Sequence, residues 1–425
     1  MPSPFLLGSS NSLRGADMTP VQQLIEAIGL RRDKVIEYQT RMTAIPALGP
    51  DNGGTGEMPK ARYLEGVLRE LGCQDIVHVD APDPRVPDGV RPNIAARFPG
   101  KSPRTLWIMG HMDVVPPGEL SQWKTDPWTV VVDGDIIRGR GVEDNQQAIT
   151  CALLVAGEMQ RLGVVPDLTL GILLVSDEET ANAYGANHVL KARPDLFHSD
   201  DFVMVPDFGV PDSRSIEISE KGILWLRVTV TGHQCHASRP QDGRNSLVAA
   251  ADMILHVRDL DVLYSVEDPL FEPSTCTFVP SRHEENVPNI NSLPGKDTFY
   301  IDCRILPGID HEEVLESARN IMEAVAERHG MTVDVSVVQS APAAPATPSD
   351  SEVVRRLMRG IREVYKVTPH CMGSGGGTVA AGFRHLGIPA AVWSTVTPTY
   401  HLANEYSRIS RTLGDAQVFA HMLFD

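Results

Sequence analysis

The chain is short of basic residues: 38 Lys and Arg stand against 55 Asp and Glu, a net charge of −17. A nucleic-acid binder needs a basic stripe, so that class is not expected. Long apolar runs are missing too. Nothing approaches the roughly 18–20 residues of a membrane span, and residues 1–18 hold only the short apolar stretch Phe5–Leu7, with no leader-like core or cleavage site. Paired cysteines are also lacking. The six, at 73, 151, 235, 276, 303 and 371, are scattered singly with no Cys-x-x-Cys. Reduced thiols in a cytoplasmic protein fit that spacing better than a disulfide framework.

At 425 residues the chain is too long for one core, and two domains are expected. Its 42% hydrophobic and 22% charged content is that of an ordinary globular protein. Thr19 and Pro20 supply an N-cap and first-turn pair for a helix over 19–45, and 57–72 reads as a second. The stretch 1–18 reads as a disordered tail. Apolar runs of strand length lie at 93–98, 105–110, 168–175, 202–206 and 388–394, with helical patterns over 146–162 and 184–192 between them. That alternation predicts an α/β fold, a mainly parallel sheet with helices on both faces. The texture changes near residue 216. Strand, helix, strand, strand, helix, strand follow in turn, with half-buried strands at 226–231, 274–280, 299–304 and 333–337 and helical stripes over 245–260 and 314–330. This is the ferredoxin-like α+β order. It sits as an insert over 216–340, so the first domain is discontinuous, 19–215 and 341–425. Ala341–Pro348 reads as the linker back, and Ser349 with Glu352 as the capping box of the next helix.

Acidic and imidazole groups punctuate the first domain: His111 and Asp113, Asp144, Glu178 and Glu179, Asp207, and His401. Most follow an apolar run, and open α/β sheets build their sites beyond the carboxyl ends of such strands. His111, Asp144, Glu179, Asp207 and His401 make two imidazoles and three carboxylates, enough for two divalent metals sharing one carboxylate. Each group has a plainer reading. In extended backbone His111 and Asp113 face the same way, so the carboxylate can hold the ring for a metal, yet a loop hydrogen bond explains His-x-Asp as well. Asp144, after Gly139-Arg140-Gly141, is placed to bridge two cations or merely to cap a helix. Asp177-Glu178-Glu179 repel one another unless cations or protons compensate. One division makes Glu179 a ligand and Glu178 a general base; a solvated acidic turn is the other reading. A lone histidine among 14 is more often structural. The joint pattern is what points to a metal site.

The same residues carry a resemblance that covers nearly the whole chain after about residue 20. His111-Met112-Asp113, Gly139-Arg140-Gly141-Val142-Glu143-Asp144, Asp177-Glu178-Glu179-Thr180, Gly232-His233-Gln234-Cys235-His236, Asn291-Ser292-Leu293-Pro294, Asp302-Cys303-Arg304 and His401 with Asn404-Glu405-Tyr406 stand in the order of a known family. The chain resembles the co-catalytic zinc peptidases and deacylases that include acetylornithine deacetylase, succinyl-diaminopimelate desuccinylase, aminoacylase and glutamate carboxypeptidase. The resemblance implies a zinc-exopeptidase-like catalytic domain with one metal held by His111, Asp144 and Asp207 and a second by Asp144, Glu179 and His401. Glu178 would be the base and Asp113 the orienting group. It also implies a homodimer formed through the inserted domain, with His236 reaching the partner's site to polarise the scissile carbonyl, and Asn291 and Arg304 on the substrate side. By its residues alone, His236 reads rather as a surface histidine before a helix, and Arg304 equally as a structural partner of Asp302. Zinc is the default for such ligands, with cobalt or manganese also fitting.

Three departures from the family bear on substrate. Asp144-Asn145-Gln146-Gln147 stands where Asp-x-Lys-Gly is usual, Asp207 where the deacetylase and desuccinylase branches carry glutamate, and the aspartate after Gly-Gly-Thr is missing from Gly375-Gly376-Gly377-Thr378-Val379. The stretch around Gly376 reads as a helix N-terminus whose amides can bind a substrate carboxylate. The expected reaction is hydrolysis of an amide bond beside a free carboxylate, in an N-acyl amino acid or short peptide. Aminopeptidase or dipeptidase action is the near alternative, and a non-catalytic metal binder the distant one.

Overall fold

The computed structural model describes residues 18–425. The tail expected over 1–18 lies, apart from Met18, outside them. The chain forms two compact units. The first takes residues up to Ile216, 350–370 and 388–425; the second takes Glu217–Ser349 and Cys371–Gly387. The segment 371–387 thus belongs to the second unit rather than the first, and the return comes at 350 rather than 341.

In the first unit six strands run in the order Asp75–His78, Ile94–Phe98, Thr169–Val175, Thr105–His111, Phe202–Gly209, Ala390–Ser394. Thr105–His111 pairs in parallel with Thr169–Val175 and with Phe202–Gly209, which is itself parallel to Ala390–Ser394. The two strands at the Asp75 edge are antiparallel. All seven residues of Thr105–His111 and of Thr169–Val175 are buried, as parallel strands covered on both faces must be. Gly171 is dictated by this packing, because a Cβ there would lie 2.4 Å from a ring carbon of Trp107.

The helix Gln146–Leu162 matches its expected span and closes on Gly163 at φ 65°, a left-handed cap that glycine adopts without strain. Thr19 and Gln22 form a capping box for Pro20–Gly29. The helix expected over 19–45 is two, Pro20–Gly29 and Arg32–Thr43, with a turn at Leu30–Arg31, where the Arg31 side chain pairs with Glu158 at 2.5 Å. The helix after the linker is Glu352–Tyr365, with Ser351 rather than Ser349 at its N-cap and no side-chain cap bond.

In the second unit the strands Thr277–His283, Lys296–Ile305, Gly222–Thr231 and Thr332–Ala341 lie in that order, every pair antiparallel. Leu224, Leu226, Val228 and Val230 pack with Met253 of Ser246–His256 and with Val314, Leu315 and Met322 of His311–Arg328. Trp225 and Val279, on the alternate positions, stay exposed. Among the described residues no helix is long and apolar enough to cross a membrane.

Candidate metal centre

The first unit gathers the seven groups of the expected site. His111 ends its strand, Asp177 to Glu179 follow Thr169–Val175, Asp207 stands near the end of Phe202–Gly209, and His401 lies in the loop after Ala390–Ser394. These are the carboxyl ends of the four mutually parallel strands, where such sheets place their chemistry. Asp144 precedes the buried helix Gln146–Leu162, and its peptide bond to Asn145 is cis. Gly110 lets that helix come close: a Cβ there would sit 2.9 Å from Ile149 Cγ1 and 3.1 Å from Asn145 Oδ1.

Asp144 lies between the two imidazoles. Its Oδ1 is 2.9 Å from His111 Nε2, and its Oδ2 is 3.3 Å from His401 Nε2. A second carboxylate reaches the same nitrogen of each ring, Asp207 Oδ1 at 3.4 Å from His111 Nε2 and Glu179 Oε2 at 3.0 Å from His401 Nε2. Two triads, His111–Glu178–Asp207 and His111–Asp144–Glu179, bring one donor atom from each residue within 4.8 Å of one another. Glu178 is therefore at the ring of His111 with the ligand candidates rather than out in solvent.

Asp113 differs in detail from expectation. The second ring nitrogen of His111 is 3.0 Å from the Asp113 backbone carbonyl and 3.4 Å from its carboxylate, so the carbonyl is the nearer acceptor. The carboxylate instead accepts the Glu179 N–H at 3.0 Å, tying one strand end to the next. Either way the ring of His111 is turned with Nε2 toward Asp144, which is what a ligating imidazole requires.

So many carboxylates in one buried place repel, and without cations protons must compensate. Burial, with the charges of Asp207, Asp144 and Asp113, raises Glu178 well above the ordinary carboxyl range. Burial and the Asp144 charge push Glu179 up to about 7. Hydrogen bonds to Asp144 and Glu179 lift His401 to about 10. Burial would lower His111, yet the Asp207 charge and hydrogen bonds to Asp113, Asp144 and Asp207 hold it well above its usual value. Asp144 stays low despite its burial because both imidazoles donate to it. Glu179 Oε1 and Asp113 Oδ1 are buried with no hydrogen-bond partner among the described residues. Convergent imidazole nitrogens and carboxylate oxygens, some unpaired, fit divalent cations of the zinc, cobalt or manganese kind.

Residues 107–425 match the model of Peptidase family M20/M25/M40. The chain belongs to that family. It is 34% identical over 412 residues to an uncharacterized metallohydrolase of Methanococcus maripaludis, covering 92% of this chain and 99% of that one. It is 29% identical over 361 residues to a succinyl-diaminopimelate desuccinylase of Gluconobacter oxydans, covering 84% and 88%. Among solved structures, a tripeptidase from Staphylococcus aureus superposes with a TM-score of 0.75 at 17% identity, covering 92% of this chain and 97% of that one. A di-peptidase from Saccharomyces cerevisiae does so at 0.73 and 16%, covering 96% and 98%. This M20 protein is thus a metal-dependent hydrolase, and the resemblance drawn from its motifs holds.

The other expected residues belong to the second unit. His236 pairs with Ser292 in a short two-stranded sheet, and the Asn291 carbonyl accepts the Ala237 N–H at 2.8 Å, so His236 and Asn291 are neighbours. The Ser238 N–H donates to His236 Nδ1 at 3.2 Å. His236 Nδ1 also lies 2.8 Å from Ser238 Oγ. The Arg304 fork is taken by Asp302, at 2.8 and 3.1 Å, with its remaining nitrogen donating to the Gly375 carbonyl at 3.1 Å. This is the structural pairing that the sequence left open. Gly376 does not open a helix. The helix here is Ala380–His385, and the nearby Thr378 N–H and hydroxyl are both spent on buried Glu220, at 2.8 and 2.7 Å. An internal carboxylate thus takes both Thr378 donors at the end of this stretch.

Sequence reasoning missed the supporting groups. Asn145 accepts the His111 N–H at 3.3 Å and donates to the Asp207 carboxylate at 2.6 Å, linking two ligand candidates. Lys60 is fully buried, and its Nζ has no hydrogen-bond partner among the described residues. Burial lowers it to about 8 against the pull of Asp113, Glu57 and Glu405. Its signal was available: Lys60 stands four residues before Leu64 and seven before Val67, on the buried stripe of the helix Met58–Glu70.

Proposed function

We propose that the protein is a dinuclear amidohydrolase that cleaves the amide bond of an N-acyl amino acid or short peptide beside a free carboxylate. The observation that carries this reading is Asp144, whose two oxygens face different imidazoles at 2.9 and 3.3 Å. His111, Asp144 and Asp207 would hold one cation, and Asp144, Glu179 and His401 the other. Bound there, the cations would supply Lewis-acid polarisation of the attacking water and of the scissile carbonyl. Glu178 takes the proton of that water and hands it to the departing nitrogen, a task suited to a carboxyl whose surroundings raise it well above its usual range. Asp113 keeps Nε2 of His111 aimed at the site.

His236 is an imidazole suited to donate to the carbonyl oxygen as charge develops there. The reading delivers it from the second copy of a homodimer. Mixing the Glu178→Gln and His236→Ala chains tests that arrangement, because hybrid dimers regain one intact site and so part of the turnover. If mixing restored nothing although exchange of chains was demonstrated, His236 would not act across copies.

The likeness to desuccinylases favours a deacylase. Succinylated, acetylated and unblocked dipeptide substrates, assayed side by side on protein whose metal content is measured, separate it from a peptidase. Turnover confined to unblocked peptides would replace the deacylase reading, and one cation per chain in the active protein would remove the dinuclear one.

A further inference from the structure

We propose that Glu143 and Glu405 are reciprocal positioning residues, each standing beside one metal-ligand candidate in sequence and holding the backbone that carries the other. The proposal rests on the dinuclear reading of Asp144 and His401. Glu143 immediately precedes Asp144, yet its carboxylate reaches the His401 loop. It accepts the Thr399 N–H and hydroxyl, both at 2.9 Å, the Tyr400 N–H at 3.1 Å, and the Thr397 N–H. Glu405 follows His401 by four residues and reaches back to the Asp144 loop. It accepts the Glu143 N–H at 2.9 Å, the Asp144 N–H at 3.2 Å, the Gly141 N–H at 2.9 Å and the Arg140 guanidinium at 2.7 Å. Both side chains are buried.

The two loops need such ties. His401 and Asn404 sit at φ 62° and 61°, the left-handed region that side-chain-bearing residues seldom adopt. The turn at 397–405 has few backbone bonds of its own, and its free N–H groups are collected by a carboxylate from the opposite loop. Ligand side chains must be held to within roughly 0.5 Å of productive geometry. Exchanged carboxylates set the Asp144-to-His401 distance directly, because neither loop can shift without breaking bonds made by the other.

Glutamine is the informative replacement. Both oxygens of Glu143 accept backbone N–H groups, so a Gln amide nitrogen at this position must face at least one donor whichever way it turns. The same holds at Glu405. Two readouts test the proposal. In metal-free protein, Glu143→Gln should speed amide exchange at Thr399 and Tyr400 by at least tenfold while exchange in the second-unit strand Gly222–Thr231 stays as in the parent. In titration with cobalt(II), Glu143→Gln should weaken one of two binding steps by ~10- to 100-fold and Glu405→Gln both. If parent protein takes up only one cobalt, the dinuclear reading fails while the exchange readout still decides the ties. Unchanged exchange at Thr399 and Tyr400, or an equal rise throughout the chain, overturns the proposal. Should the Gln variants not fold, Thr399→Val removes the hydroxyl that donates to Glu143, together with its bonds to the Tyr406 backbone, with the shape kept; it must weaken the same single step, and parent-like binding of both cobalt ions overturns the proposal.

Discussion

Filling this site should expel protons, and the structure says how many. Metal-ligating imidazoles must be deprotonated. In the metal-free protein His401 is lifted to about 10 by Asp144 and Glu179, and His111 is held well above its usual value, so at pH 7 both carry a proton that a cation must displace. Glu179, at about 7, adds about half a proton. Glu178, crowded by the same carboxylates, can release one more if the cations neutralise its neighbours. The expected release on saturation at pH 7 is therefore ~2.5 to 3.5 protons per chain, and the overall affinity should rise by about that many powers of ten per pH unit, each power being about 1.4 kcal/mol. The slope should fall as the pH passes 10, where His401 has already lost its proton. Calorimetric titration of metal-free protein with zinc, repeated in buffers of different ionisation enthalpy, reads the proton count directly. His401→Ala should remove about one proton from it. Release of fewer than one proton at pH 7 would refute the account of the site as imidazoles protonated by surrounding carboxylates.

Four further outcomes are expected. Glu178→Gln should keep the parent's cation content and lose ~10²- to 10⁴-fold in kcat, measured on the best substrate of the panel; near-normal turnover removes Glu178 as the base. Asp144→Asn should lose both cations where His401→Ala loses one, and elemental analysis showing a full complement in Asp144→Asn would end its role as the shared ligand. In metal-free protein the His401 contribution to stability is present below its usual 6.5 and lost as the pH rises through about 10, so the urea midpoint should fall over that interval and His401→Ala should flatten the fall. Lys60 has the opposite sign: lowered from 10.5 to about 8, its charged form costs the folded state about 3 kcal/mol at pH 7, a cost that fades between pH 8 and 10.5. Lys60→Met should therefore be more stable than the parent at pH 7 by up to that amount, with the gain shrinking at pH 9.5; a variant less stable at pH 7 contradicts this.

The ligand candidates were legible because their positions are local facts. Thr105–His111 and Thr169–Val175 are continuous apolar runs, and a run buried on both faces can end only in a loop, so the polar residues at its end declare themselves. His111, Glu178, Glu179 and Asp207 all follow that rule. The alternation of runs and helical stripes likewise fixed the parallel sheet and the four-stranded insert. What escaped was decided by partners distant in the chain. At the break after Gly29, Arg31 meets Glu158, 127 residues on. The segment 371–387 joins the second unit through bonds such as Gly373 to the Leu270 carbonyl and Thr378 to Glu220. One amide beside Gly376, that of Thr378, is taken by that same distant carboxylate.

The same asymmetry explains why the ligands of a metal site are easier to read than the residues that hold them. An imidazole or carboxylate at a strand end is chemically scarce, and several in register leave few alternatives. The groups that Glu143 and Glu405 collect are backbone N–H donors, which nearly every residue carries. Nothing in the letters Thr397, Thr399 and Tyr400 marks them as the partners of an acid 254 to 257 residues earlier. A buried acid next to a ligand candidate is nonetheless a usable signal. Its charge must be met, and because Arg140, three residues before Glu143, is taken by Glu405, the compensation comes from a cluster of amides in a loop held away from ordinary backbone angles. In this chain that loop is the one that carries His401.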